Sequence, residues 1–162
     1  VLCIYLTNPY FGWIAFILFC LAGITDYFDG YLARLRNEVT NFGTFLDPIA
    51  DKLLVAAVIL ILTSKKIIVD WETIPALIIL LREIVVSGLR EYLAGIKVSV
   101  PVTRIAKFKT AIQLIALALL ILSESQITIL PIILIGKIAL WVAGILTLYT
   151  GFDYLRSGLR HL

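Results

Sequence analysis

Five apolar blocks, each closed by turn or charge signals, constrain this 162-residue chain more than any other feature. They cover about 11–24, 53–62, 74–93, 105–122 and 127–155. A helix crosses the hydrocarbon of a bilayer with roughly 20 residues, and in lipid every backbone N–H must find its partner inside the helix. With their flanks the blocks give five full spans. The apolar Val1–Leu6 reads as the tail of another span, and Asn8-Pro9 as the turn that follows it. Composition agrees: 61% of residues are hydrophobic and 15% charged, against about 45–50% and 25% in soluble domains. A cytosolic globule, a disordered tail and a free nucleic-acid binder are excluded. The expectation is an all-α integral membrane protein, residues 1–162 forming a single transmembrane domain. There is no Met, even at position 1, so the chain is expected to begin inside a longer protein. Val1–Leu6 lacks the basic flank of a signal peptide.

Basic residues set the orientation. Arg34, Arg36 and Lys52 follow the first full span. Arg90, Lys97, Arg104, Lys107 and Lys109 surround the loop between the third and fourth, and Arg156 and Arg160 close the chain. Alternating spans put all ten on one side, which is expected to face the cytoplasm. Lys97 and Arg104 read as topology determinants. The other side offers Lys65 and Lys66, read as solvated interface charges and diluted by Asp70, Glu72 and Glu124. Trp13, Trp71 and Trp141 read as belt or packing residues.

Elimination narrows the chemistry. Cys3 and Cys20 lie in apolar stretches without a metal-ligand spacing, and read as inert thiols. His161 is the only histidine and sits beside the C-terminus, which argues against a histidine metal site or a Ser-His-Asp triad. Carboxylates remain. Asp26, Asp29, Gly30, Ala33, Arg34, Gly43, Asp47 and Asp51 form the pattern D-x2-D-G-x2-A-R-x8-G-x3-D-x3-D. On a helix the first five of these fall within an arc of roughly 140°. Asp47 and Asp51, four apart, share a face if their segment is helical, with Pro48 tolerated in a first turn. A short connection makes the two helices antiparallel neighbours and gathers four carboxylates at their cytoplasmic ends. Such a cluster at a membrane boundary demands positive charge. Oxygen ligands favour Mg²⁺ or Mn²⁺ over zinc, and two such ions can clamp a phosphate. Gly30 and Ala33 leave a notch for a ligand, and Arg34 can grip a phosphate through two donors.

At these residues the chain resembles the CDP-alcohol phosphatidyltransferase family, every position of whose signature is matched. The resemblance implies a six-transmembrane-helix bundle, its first helix largely missing from this chain, that forms a homodimer with its site open to the cytoplasm of a bacterial inner membrane. It implies two Mg²⁺ or Mn²⁺ ions held by Asp26, Asp29, Asp47 and Asp51, with Asp51 also the general base. It implies that Thr25, Gly30, Ala33 and Arg34 receive the CDP part of CDP-diacylglycerol, and that Gly43 lets the two helices pack closely.

Residues 82–92, 107–113 and 47–52 further resemble the branch of that family whose acceptor is glycerol 3-phosphate; Ala106, where that branch often has Gly, departs from it. The residues agree with an anionic acceptor. Arg82 and Glu83 lie near mid-span, where an ionisable side chain is a functional candidate by default. Glu83, Ser87 and Arg90 fall within roughly 60° of one another on a helix, and Lys107 and Thr110 share a face. Arg82, Arg90, Lys107 and Lys109 are therefore the expected acceptor-binding set, beside membrane lipids as the other partners and with no nucleic acid. Inositol phosphate, serine or a phosphatidyl lipid remain alternative acceptors. An intramembrane prenyltransferase would also use paired aspartates with Mg²⁺, but would not require the Gly-x2-Ala-Arg notch. A divalent-cation transporter would need acidic residues along a path through the membrane.

Overall fold

The computed structural model describes residues 9–36, 41–96, 98, 104–125 and 131–159. Among them are five α-helices and no strand: α1 (Pro9–Arg36), α2 (Asn41–Ser64), α3 (Thr73–Gly95), α4 (Arg104–Leu122) and α5 (Ile132–Leu159), with one 3-10 turn at Asp70–Glu72 before α3. The fold is all-helical, and large apolar side chains stay exposed on each helix, among them Ile17, Leu21, Leu60, Ile84, Ile115 and Leu148. An apolar surface this extensive fits lipid rather than water. Among the described residues α5, over Ile132–Gly158, is the one helix that is long and apolar enough by itself to cross a membrane.

The helices overrun the apolar blocks. α1 continues through the acidic motif to Arg36, and α2 begins at Asn41, well before its apolar block. Pro48 consequently lies in the second turn of α2 rather than its first, where its missing N–H leaves the Thr44 carbonyl without its usual donor. α5 starts only after Pro131 and not at residue 127, in keeping with proline's place at the start of a helix. Residues 126–130 lie outside the described residues, as do 1–8.

The chain divides into two compact units, Val1–Ile67 with Leu117–Ile133, and Ile68–Ala116 with Leu134–Leu162. In the first unit the core is apolar: Val58, Ile59, Leu62, Leu117, Leu120 and Ile121 are buried. α2 ends in a Schellman arrangement. Ile67 N–H donates to the Leu62 carbonyl at 3.0 Å and Lys66 N–H to the Thr63 carbonyl at 3.0 Å, while Lys66 takes the left-handed φ of 59° usually given to glycine. Two contacts then fix the turn at 123–125. Lys65 Nζ lies 2.6 Å from Glu124 Oε1, so Lys65 is paired and largely buried rather than a solvated interface charge. The pairing needs Glu124, 59 residues away, and no local pattern announces it. Gly12 of α1 meets the same turn so closely that a Cβ would stand 2.9 Å from Ser125 N.

The second unit is built on glycines. Along α5, Gly144, Gly151 and Gly158 face Pro75, Arg82 and Leu89 of α3, and a Cβ at any of the three would lie 2.7 Å from its partner. Both sets repeat every seven residues with a constant offset. α3 and α5 therefore run parallel in the register of a shallow left-handed crossing of about 20°. Small residues at such a seam let two helices approach where no hydrophobic effect drives them together. Ile79, Val86 and Leu93 fill the seam on α3 and Leu140 and Ala143 pack on α5, all buried. Lys137 Nζ closes one end with a 2.9 Å contact to Glu72 Oε1 of the 3-10 turn.

Candidate active site

The first unit positions the aspartates by register. The 123–125 turn holds Gly12, near the start of α1, and Lys65, at the end of α2. Asp26 lies fourteen residues along α1 from Gly12, and Asp51 fourteen residues back along α2 from Lys65, about 21 Å in each case. Asp29 and Asp47 are seventeen and eighteen residues away, about 26–27 Å. Measured along its own helix, each pair thus lies at a similar distance from that turn, Asp26 and Asp51 nearer and Asp29 and Asp47 farther. Asp51 has an exposed side chain. The side chains of Asp26, Asp29, Arg34, Asp47 and Lys107, together with Gly30, Ala33 and Gly43, lie outside the described residues. Thr25 is described: its hydroxyl donates to the Leu21 carbonyl at 2.6 Å, within its own helix.

This donor set fits a hard cation. From Asp26 to Asp51 the sequence offers these carboxylates and no histidine or cysteine, the ligand chemistry of Mg²⁺ or Mn²⁺.

The second unit brings most of the expected acceptor set together. Lys109 of α4, 2% exposed, donates from Nζ to Glu83 Oε1 of α3. Arg82 reaches the same carboxylate through an Nη1 contact of 3.3 Å. Arg90 lies close enough to act electrostatically on both Arg82 and Lys109, and its guanidinium sits 5.7 Å from the centre of the Tyr154 ring on α5. Two cations thus share one carboxylate with a third nearby, and the surplus suits an anion with more than one negative oxygen. Ser87, on the same face, donates instead to the Glu83 carbonyl at 2.6 Å.

Sequence reasoning missed two contributors here, Tyr154 and Gly151. Tyr154 sits in a generic apolar helix and carries no local signal. Gly151, against which Arg82 packs, could have been found from the seven-residue glycine spacing.

Comparison with known proteins supplies the context for both sets. The CDP-alcohol phosphatidyltransferase profile matches residues 1–149. A Rickettsia bellii protein named CDP-diacylglycerol–glycerol-3-phosphate 3-phosphatidyltransferase is 50% identical over 157 residues, 97% of this chain and 85% of its own length. Proteins of the same name from Shigella flexneri serotype 5b, 41% identical over 97% of this chain and 85% of theirs, and from Cereibacter sphaeroides, 35% identical over 100% of this chain and 89% of theirs, are similar along the same length. A match of this extent sets aside the prenyltransferase and transporter readings. The chain belongs to the CDP-alcohol phosphatidyltransferase family, and it is a membrane enzyme that transfers phosphatidyl groups.

Proposed function

We propose that this chain transfers the phosphatidyl group of CDP-diacylglycerol to sn-glycerol 3-phosphate, giving phosphatidylglycerophosphate and CMP. The observation that carries the reading is the complete motif from Asp26 to Asp51 in the sequence, taken with relatives that bear the name of this reaction. Asp26, Asp29, Asp47 and Asp51 would hold two Mg²⁺ or Mn²⁺ ions, which would supply charge neutralisation for the pyrophosphate. Thr25, Gly30, Ala33 and Arg34 receive the CDP part. Arg82, Arg90, Lys107 and Lys109 hold the phosphate of the acceptor. Asp51 takes the proton of the acceptor's primary hydroxyl, whose oxygen then attacks the phosphorus bearing the lipid. The bond to CMP breaks, and Arg34 stabilises the charge on the leaving phosphate. The sequence from Asp26 to Asp51 holds no Ser, Cys or His for covalent catalysis, so displacement is direct. On this reading the chain is one catalytic domain in a six-helix bundle, works as a homodimer, and faces the cytoplasm from the bacterial inner membrane. The ten basic residues on one side support that orientation.

The test is an acceptor panel with the purified chain, CDP-diacylglycerol and Mg²⁺ or Mn²⁺. Glycerol 3-phosphate should give CMP and one new anionic lipid, while inositol phosphate, serine and phosphatidylglycerol should not. Asp51→Asn should lower the rate about 1000-fold or more, since it removes both a metal ligand and the base. CMP release that survives that substitution, or survives excess chelator, would overturn the mechanism. Turnover of another acceptor in place of glycerol 3-phosphate would overturn the substrate.

A further inference from the structure

Among the described residues, three buried side-chain polar atoms have no hydrogen-bond partner: Arg82 Nε, Gln113 Oε1 and Thr147 Oγ1. All belong to the second unit, one each on α3, α4 and α5. A buried group left unpaired is costly, so each calls for an account. Thr147 is the clearest case. The hydroxyls of Thr25, Thr63, Ser87, Ser123 and Thr150 each donate to a carbonyl three or four residues back. Thr147, fully buried, does not. Gln113 is 2% exposed and lies one turn beyond Lys109 on the same face of α4.

Register puts Gln113 and Thr147 in one layer. Lys109 meets Glu83 of α3, and Gly151 meets the neighbouring Arg82. Gln113 is four residues after Lys109, and Thr147 is four residues before Gly151. α5 runs parallel to α3. α4, joined to α3 by the short connection 96–103, runs back against it. Both steps therefore lead toward the Pro75 end of α3, about 6 Å from the layer of cations.

We infer that Gln113 and Thr147 form a hydroxyl-reading layer that selects the acceptor. It rests on the proposed function: the cations take the acceptor's phosphate, and this layer takes the secondary hydroxyl that does not react. That hydroxyl donates to Gln113 Oε1 and accepts from the Thr147 hydroxyl. A group that both donates and accepts is what an amide oxygen and a threonine hydroxyl together require. Neither residue is charged, so neither competes with the arginines for phosphate. An acceptor lacking the hydroxyl leaves both groups unpaired, and sites built this way reject such analogues strongly.

The test compares glycerol 3-phosphate with 3-hydroxypropyl phosphate, which keeps the phosphate and the primary hydroxyl and lacks the secondary one. The full chain should prefer glycerol 3-phosphate about 100-fold or more in kcat/KM. In Gln113→Leu and Thr147→Val that ratio should fall about 10-fold or more, with the loss on glycerol 3-phosphate. The melting temperature of both variants should stay level or rise, because each removes an unpaired buried group. Equal losses on the two acceptors, or an unchanged ratio, overturns the inference. Arg90→Ala, assayed alongside, should raise KM for both acceptors alike. If it raises neither, the acceptor reading itself fails and the layer with it. If it raises both while the Gln113 and Thr147 ratios stay at the wild-type value, the layer alone fails.

Discussion

The two units of this chain carry opposite charge and hold it in opposite ways. The first carries four aspartates of one contiguous motif on α1 and α2, whose other ends meet the 123–125 turn through Gly12 and Lys65. The second carries cations on α3 and α4 that depend on a shared partner, Lys109 and Arg82 both meeting Glu83. An exposed carboxylate such as that of Asp51 can be met by water or a ligand, so its residue pattern follows the chemistry it serves. Charge inside a helix bundle must be met by side chains from other helices, so its pattern follows packing. The two regions should therefore respond differently to substitution: the first through activity, the second through stability and activity together.

The largest expected stability effect tests that contrast directly. Lys109→Met removes one partner of a buried ion pair and leaves Glu83 with Arg82 alone. The loss should be about 3 kcal/mol, read as a lowered melting temperature in detergent. Asp51→Asn should leave the melting temperature near wild type while abolishing turnover. If Asp51→Asn melts as early as Lys109→Met, the division between the units is wrong.

The glycine seam sharpens the same comparison at smaller magnitude. At Gly144 an added Cβ would meet Pro75 Cβ at 2.7 Å and its Cα at 3.1 Å, atoms that cannot move without the backbone. At Gly151 it would meet the Arg82 stem, and at Gly158 the tip of Leu89. Overpacking costs about 1–3 kcal/mol. Gly144→Ala should therefore destabilise most and Gly158→Ala least, by thermal melting. Gly151→Ala should stand apart, raising the KM for glycerol 3-phosphate more than either neighbour, because the displaced residue is Arg82. Equal KM values across the three would show that Arg82 does not act on the acceptor.

The same division explains what the sequence made legible. The acidic motif is contiguous because α1 and α2 are consecutive helices joined at their charged ends, so one stretch of 26 residues, Asp26 to Asp51, holds the whole pattern. The mid-helix charges Arg82 and Glu83 were also visible, since ionisable residues within apolar blocks are few. Their partners were not. That Lys109 meets Glu83, and that Gly151 makes room for Arg82, depends on the mutual register of three helices, which no local window encodes. Boundaries were misread for a related reason. Hydropathy marks where lipid begins, whereas α1 and α2 continue as helices beyond it, and Pro48 thereby came to lie deeper in α2 than its own preference suggests.

The smallest expected effect concerns Glu72, outside the spans. Its hydrogen bond with Lys137 holds its carboxyl below the usual carboxylate range, against a smaller opposing effect of burial. A depressed value means that the folded state favours the ionised form. The pair's contribution is therefore fully present above the ordinary glutamate range and is lost as pH falls through the depressed value. Both partners are part-exposed, so Glu72→Gln should cost under about 1 kcal/mol at neutral pH. That gap should close on acidification, where wild-type Glu72 becomes neutral like its substitute, and should narrow in high salt. Melting curves of the two proteins at neutral and acidic pH decide it. A gap that persists in acid would mean that Glu72 holds the start of α3 by packing rather than charge. The second unit would then owe its ion pairs nothing at this end, in contrast to the buried Lys109–Glu83 pair at its middle.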